Sequence, residues 1–136
     1  MGFNDFMANL QKYSKIPLLT GLRLPLPPSV NNYLVRGRNG VRLSDKARAY
    51  KQASYLAIKP YAPSQPVTTR LAGVFTICPA TRARFDLDNK MKLVLDSLQA
   101  AGFFVDDSQF DELLISRGSI VKGGQVVVDL FELKYD

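Results

Sequence analysis

Residues 84–109 of this 136-residue chain read RFDLDNKMKLVLDSLQAAGFFVDDSQ. Apolar residues at helical spacing predict a helix over 89–101, and Gly102 is suited to end it in the left-handed conformation. Two aspartates precede this helix and two follow it: Asp86, Asp88, Asp106 and Asp107. Because the chain carries a net charge of +6, acids gathered around one helix suggest a divalent-metal site that faces a polyanion.

The flanking sequence predicts an α/β (α+β) fold, namely a single compact domain with a mixed β-sheet and two main helices. Ser44 is a candidate N-cap for the other main helix, which extends to about Lys59. Asn39-Gly40 predicts a tight turn within a basic segment that ends at Leu43. The predicted strands cover residues 16–26, 67–78, 113–121 and 125–134, and the last two would form a hairpin around Lys122-Gly123-Gly124.

The N-terminus is predicted to form a separate extension. Residues 1–15 contain a short amphipathic helix over 3–13, and residues 16–136 form the main domain. No apolar run approaches the ~20 residues that span a bilayer, and no secretory signal is present. We therefore expect no membrane partner.

The residue content excludes several kinds of chemistry. The chain has no histidine and one cysteine, so intramolecular disulfides, Cys/His zinc sites and imidazole bases are excluded. Cys78 lies in an apolar run and is interpreted as core packing. General acid–base catalysis would therefore have to use Asp, Lys or metal-bound water.

The acidic motif suggests how a metal could be held. If residues 84–88 are extended, Asp86 and Asp88 share one face while Leu87 points into the core. Lys92 follows one helical turn later, and Asp107 would return to the same place if the helix tilts across the sheet. Three carboxylates repel one another unless a cation such as Mg²⁺ is present, and that cation could activate water for phosphodiester hydrolysis while Lys92 stabilises phosphoryl charge.

Each aspartate also has a plain structural interpretation. Asp88 could be a helix N-cap, or it could form an ordinary i,i+4 surface pair with Lys92. Asp106 and Asp107 could be turn residues. Spacing alone leaves these alternatives open.

The combination of residues closely resembles the RusA family of Holliday-junction resolvases. The resemblance covers residues 20–134: the proline-rich segment 25–33, then D-L-D-N at 86–89, Lys92 and the G-F-F-V-D-D-S-Q of 102–109. It implies a homodimer that resolves four-way DNA junctions by paired symmetric nicks with Mg²⁺, for which Mn²⁺ can substitute. The resemblance also implies a cytoplasmic protein of bacterial or phage type. By this resemblance the metal-binding catalytic carboxylates are Asp86, Asp88 and Asp107, and the catalytic lysine is Lys92.

The charge is consistent with a DNA partner. The isoelectric point is about 9.6, and two chains carry twice +6, or +12, so binding to branched DNA should weaken steeply with salt. The candidate phosphate contacts are Arg36, Arg38, Arg42, Arg82 and Arg84. Two other functions remain open: a non-catalytic module that binds branched DNA, and a nuclease for other branched or flapped DNA.

Overall fold

The elements of the fold lie within residues 2–8, 12–29 and 34–136, which are the residues that the computed structural model describes. In chain order they are α1 (Phe3–Ala8), β1 (Tyr13–Leu24), β2 (Leu34–Gly37), β3 (Gly40–Leu43), α2 (Asp45–Ile58), β4 (Leu71–Cys78), α3 (Met91–Ala100), β5 (Phe110–Arg117) and β6 (Gln125–Tyr135). Short 3₁₀ turns cover Lys59–Tyr61, Asp88–Lys90 and Asp107–Gln109. None of the helices in these ranges is long and apolar enough to cross a bilayer.

The main sheet has the strand order β1–β6–β4–β5, and β2 pairs with β3 in a separate hairpin. β4 and β5 are parallel, whereas β6 is antiparallel to both of its neighbours. The mixed sheet and the α/β (α+β) class with two main helices are therefore confirmed.

The predicted hairpin between residues 113–121 and 125–134 is wrong, because β4 lies between β5 and β6. The turn itself is present, since Gly123 and Gly124 have φ angles of 78° and 72°. Burial explains the strand order. Val126, Val128 and Leu130 of β6 are fully buried, whereas Leu113 and Leu114 of β5 are 44% and 53% exposed, so the apolar strand occupies an inner position and β5 lies at the edge.

Parallel β4 and β5 require a crossover connection, and α3 provides it. One face of α3 buries Met91, Val94 and Leu98 in the cluster that also contains Phe75 of β4. α2 packs on α3, where the hydroxyls of the buried Ser54 and Ser97 are 2.8 Å apart and hydrogen-bonded. The crossover brings the chain from the carboxyl end of β4 back to the amino end of β5.

Several local expectations are confirmed. The Ser44 side chain caps α2 by accepting a hydrogen bond of 3.1 Å from the Ala47 amide. Gly102 follows α3 with φ of 85°, and Cys78 is buried. In the β2–β3 hairpin Gly37 pairs with Gly40, so the two turn residues are Arg38 and Asn39, one position earlier than predicted.

The N-terminal segment differs from the expectation in one respect. α1 ends at Ala8, and residues 9–11 of the predicted helix lie outside the described residues. Tyr13 is not helical but begins β1, where it pairs with Tyr135. The two rings pack edge to face, with their centroids 5.4 Å apart. This cross-strand aromatic contact favours a strand at a position that helical spacing assigned to a helix.

Candidate active site

The D-L-D-N segment follows β4 and has two distinct sides. Phe85 and Leu87 pack against the main core cluster, while Asp86 and Asp88 are exposed. The predicted inward direction of Leu87 is confirmed. The segment is not fully extended, however, because Leu87 has helical angles (φ −59°, ψ −45°) and the Asn89 amide donates a hydrogen bond of 3.2 Å to the Asp86 carbonyl.

The structural alternatives for Asp88 are not observed. Neither α3 nor the 3₁₀ turn before it has a side-chain N-cap. The Lys92 ammonium is 3.4 Å from a carboxylate oxygen of Asp96, one turn further along, and not paired with Asp88. In the described part of the chain, the carboxylates of Asp86 and Asp88 make no hydrogen bond or ion pair, so both are open to an external ligand.

A cavity of about 740 Å³ opens beside this segment. Its cationic and polar side chains come from three parts of the chain that are distant in sequence. The residues that line it are Ser29, Arg84, Phe85, Asp86, Asn89, Lys90 and Arg117. Of the predicted site residues, the fold thus brings Arg84 and Asp86 into one cavity.

Sequence reasoning missed two cations of this cavity, Lys90 and Arg117. Lys90 donates a hydrogen bond of 3.2 Å to the Pro27 carbonyl, and burial lowers the pKa of its ammonium. Arg117 donates a hydrogen bond of 3.1 Å to the Phe85 carbonyl. Lys90 could have been noticed from its place next to the motif. Arg117 carries no such signal, because only the β4–β5 pairing brings the end of β5 to this place.

The proline-rich segment is connected to the motif by side chains. The Asn89 amide group donates a hydrogen bond of 3.3 Å to the Ser29 hydroxyl, next to the contact between Lys90 and Pro27. Residues 30–33 of this segment lie outside the described residues. The D-L-D-N turn therefore has polar contacts with a segment about sixty residues earlier in the chain.

The two aspartates of the second acidic pair, Asp106 and Asp107, differ in their contacts. Asp106 is a turn residue, because its carboxylate accepts a hydrogen bond of 3.1 Å from the Ser108 amide and caps the 3₁₀ turn. The hydrogen bonds from Ser108 lower the pKa of Asp106. The side chain of Asp107 is exposed and makes no hydrogen bond or ion pair with the described residues.

The position of this turn depends on Gln109, which sequence reasoning also missed. Gln109 is 8% exposed, and its carbonyl oxygen accepts hydrogen bonds of 2.9 Å from the amides of Val105 and Asp106. Its amide nitrogen donates at 2.9 Å to the carbonyls of Val67 and Thr69. The four hydrogen bonds of this one side chain therefore connect the turn that carries Asp107 to the segment just before β4.

The expected return of Asp107 to Asp86 and Asp88 does not occur within one chain. Asp86 lies near Arg117, the last residue of β5, whereas Asp107 comes before Phe110, the first residue. At about 3.3 Å per residue, β5 alone separates these ends by about 23 Å. The described residues accordingly contain no group of three His, Cys, Asp or Glu side chains that could hold a metal. The reason is the crossover between parallel strands, because it returns the chain to the amino end of β5, whereas Asp86 lies near the carboxyl ends of β4 and β5.

The predicted DNA-contacting arginines are exposed in two separate places. Arg36, Arg38 and Arg42 lie on the β2–β3 hairpin, and Arg42 is 3.5 Å from Asp45 at the start of α2. Arg82 and Arg84 lie on the loop between β4 and the acidic motif. All five are accessible to a polyanion, and their contact with DNA stays a prediction.

Comparison with known proteins identifies the family. The sequence model of the endodeoxyribonuclease RusA family matches residues 25–130. The chain is 38% identical over 112 residues to a protein of Enterobacteria phage HK97 named crossover junction endodeoxyribonuclease rusA, covering 82% of this chain and 92% of that protein. It is 31% identical over 117 residues to crossover junction endodeoxyribonuclease RusA of Escherichia coli K12, covering 82% and 93%. The chain therefore belongs to the RusA family of endodeoxyribonucleases, and it is a nuclease.

Proposed function

We propose that this nuclease cuts four-way DNA junctions by paired symmetric nicks and requires a divalent metal. The metal is Mg²⁺, for which Mn²⁺ can substitute. The junction substrate is supported by the names of the relatives, which are crossover junction endonucleases. The single observation that carries the site is the exposed pair of Asp86 and Asp88, whose carboxylates make no hydrogen bond or ion pair with the described residues and lie beside a cationic cavity. Because this substrate is cellular or phage DNA, we also propose a cytoplasmic location.

The donor set fits the metal. Mg²⁺ commonly uses one or two protein carboxylates and completes its octahedron with waters and phosphate oxygens, so Asp86 and Asp88 suit the requirement. The bound ion would supply positive charge at the phosphate and lower the pKa of a water. Arg84 would hold the DNA backbone in the adjoining cavity.

Lys92 would stabilise charge on the phosphoryl oxygens. Its side chain is 59% exposed and its contact with Asp96 is an i,i+4 pair. Such exposed pairs contribute only about 0.3–0.5 kcal/mol, so the ammonium can leave Asp96 at little cost when a phosphate arrives.

Asp107 would reach the metal from a second copy of the chain. Two subunits related by a two-fold axis would match the symmetry of a four-way junction and place two sites on opposed strands. The separation of Asp107 from Asp86 along β5 supports this arrangement, since one chain cannot bring all three carboxylates to one ion.

The test is strand cleavage of a labelled mobile junction and of linear duplex of the same sequence, with and without Mg²⁺. Wild type should nick the junction symmetrically, whereas Asp88→Asn should bind it without cleavage because the metal site has lost a charge. The matched control is Asp136→Asn, which alters an exposed aspartate at the C-terminus and should cut normally. Tight binding without cleavage under any divalent metal would instead indicate a binding module, and equal cutting of flaps would indicate a broader nuclease.

A further inference from the structure

Two cations contact the aromatic ring that precedes Asp86. The guanidinium carbon of Arg117 is 4.4 Å from the centroid of the Phe85 ring, and the Lys90 ammonium is 5.7 Å from it. Lys90 belongs to the 3₁₀ turn before α3, and Arg117 ends β5. Both side chains also line the cavity.

The cavity has an excess of positive charge. Arg84, Lys90 and Arg117 face a single carboxylate, that of Asp86. Within the described ranges Arg117 forms no ion pair, and its one hydrogen bond, to the Phe85 carbonyl, leaves most of its five N–H donors for another acceptor. A site with this charge and these donors suits a phosphate group.

The ring and the carbonyl of Phe85 pre-orient the guanidinium. Stacking over an aromatic face and one hydrogen bond reduce the freedom that Arg117 would lose on binding. Lys90 is held in turn by the Pro27 carbonyl, and burial has already removed part of its water, which strengthens its attraction to an anion. Both cations are therefore in place before a ligand arrives.

We infer that Arg117 and Lys90 bind one backbone phosphodiester of the DNA strand, next to the one that is cut. Guanidinium groups bind phosphate oxygens through two parallel hydrogen bonds, and the ammonium adds a point charge. The cavity of about 740 Å³ has room for a nucleotide unit. This inference rests on the proposed function. It adds a positioning role, because the contact of Arg117 with the Phe85 carbonyl lies one residue from Asp86.

The experiment measures junction binding as a function of salt for Asp88→Asn, which removes cleavage, and for the same protein with Arg117→Gln or Lys90→Gln. Each dimer would lose two phosphate contacts, so we expect the slope of log K against log salt to fall by about 2. Binding at low salt should weaken about tenfold, and Arg117→Lys should recover part of the loss. The control is Lys134→Gln, an exposed cation near the end of β6, which should leave affinity within about twofold of the parent.

The outcomes separate the two proposals. If Asp88→Asn itself fails to bind junctions, the proposed function is overturned. If it binds, and the Arg117 and Lys90 variants keep its affinity and salt slope, only the phosphate site is overturned. Should Arg117→Gln unfold, Lys90→Gln decides alone, because within the described residues the Lys90 ammonium makes a single hydrogen bond, to the Pro27 carbonyl, besides its 5.7 Å contact with the Phe85 ring. Thermal stabilisation by inorganic phosphate that Arg117→Gln removes, with junction affinity unchanged, would show a free-phosphate site and also refute the inference.

Discussion

A dimer that contains one Asp88→Asn subunit and one Asp107→Asn subunit should regain activity that neither homodimer has. Two oxygens bound to one Mg²⁺ are at most about 4 Å apart, twice the metal–oxygen bond length. The length of β5 separates Asp107 from the Asp86 end of its own chain by about 23 Å, so in the proposed dimer the two would share an ion only across subunits. In the mixed dimer one site would carry both defects and the other would be intact.

The assay uses two affinity tags, tandem purification of the mixed dimer, and a junction labelled on each strand. With one intact site of two, the nicking rate per dimer should be about half that of wild type. The product should be a singly nicked junction and not a pair of resolved duplexes. An inactive mixed dimer would refute the reasoning, and so would an Asp107→Asn homodimer that cleaves like wild type or a protein from which no mixed dimer can be recovered.

Three further predictions concern the elements that support the site. Gln109→Leu removes the four hydrogen bonds between this side chain and the backbone, so urea unfolding should show that the free energy of unfolding falls by about 2–4 kcal/mol. Gly124→Ala should lower stability by about 1–3 kcal/mol in the same assay, because φ is 72° and the new Cβ would lie 2.7 Å from a side-chain atom of Leu26. Its control is Gly123→Ala, which shares the positive φ but has open space around the Cβ and therefore isolates the effect of the clash. A hydrogen bond from Arg70, and a smaller effect of one from Tyr135, lower the pKa of Asp111 from its ordinary value of 3.8. The ionised carboxylate therefore stabilises the fold at pH values above 3.8. Asp111→Asn should therefore be less stable than wild type at pH 7, and melting temperatures should converge as the pH falls below 3.8; a constant difference would refute this.

The local features of the chain were predictable because they depend on neighbours in sequence. The alternation of Phe85 and Leu87 with Asp86 and Asp88 places the carboxylates outside the core, and Ser44 caps α2 with its own side chain. The family was also readable from its motifs, and comparison with known proteins confirmed it. The assignment of Asp86, Asp88, Lys92 and Asp107 to catalysis stays a prediction.

The partners of each strand were decided only by the tertiary structure. The glycine turn before β6 suggested a hairpin with β5, yet β6 lies between β1 and β4, where Val126 and Val128 are fully buried. That pairing makes β4 and β5 parallel, which moves Asp107 away from Asp86 and brings Arg117 onto Phe85. Backbone preference acts over a few residues, whereas burial of apolar area is settled by the whole chain at once. The sequence by itself therefore determined which groups could do chemistry, and the sheet order decided which of them meet.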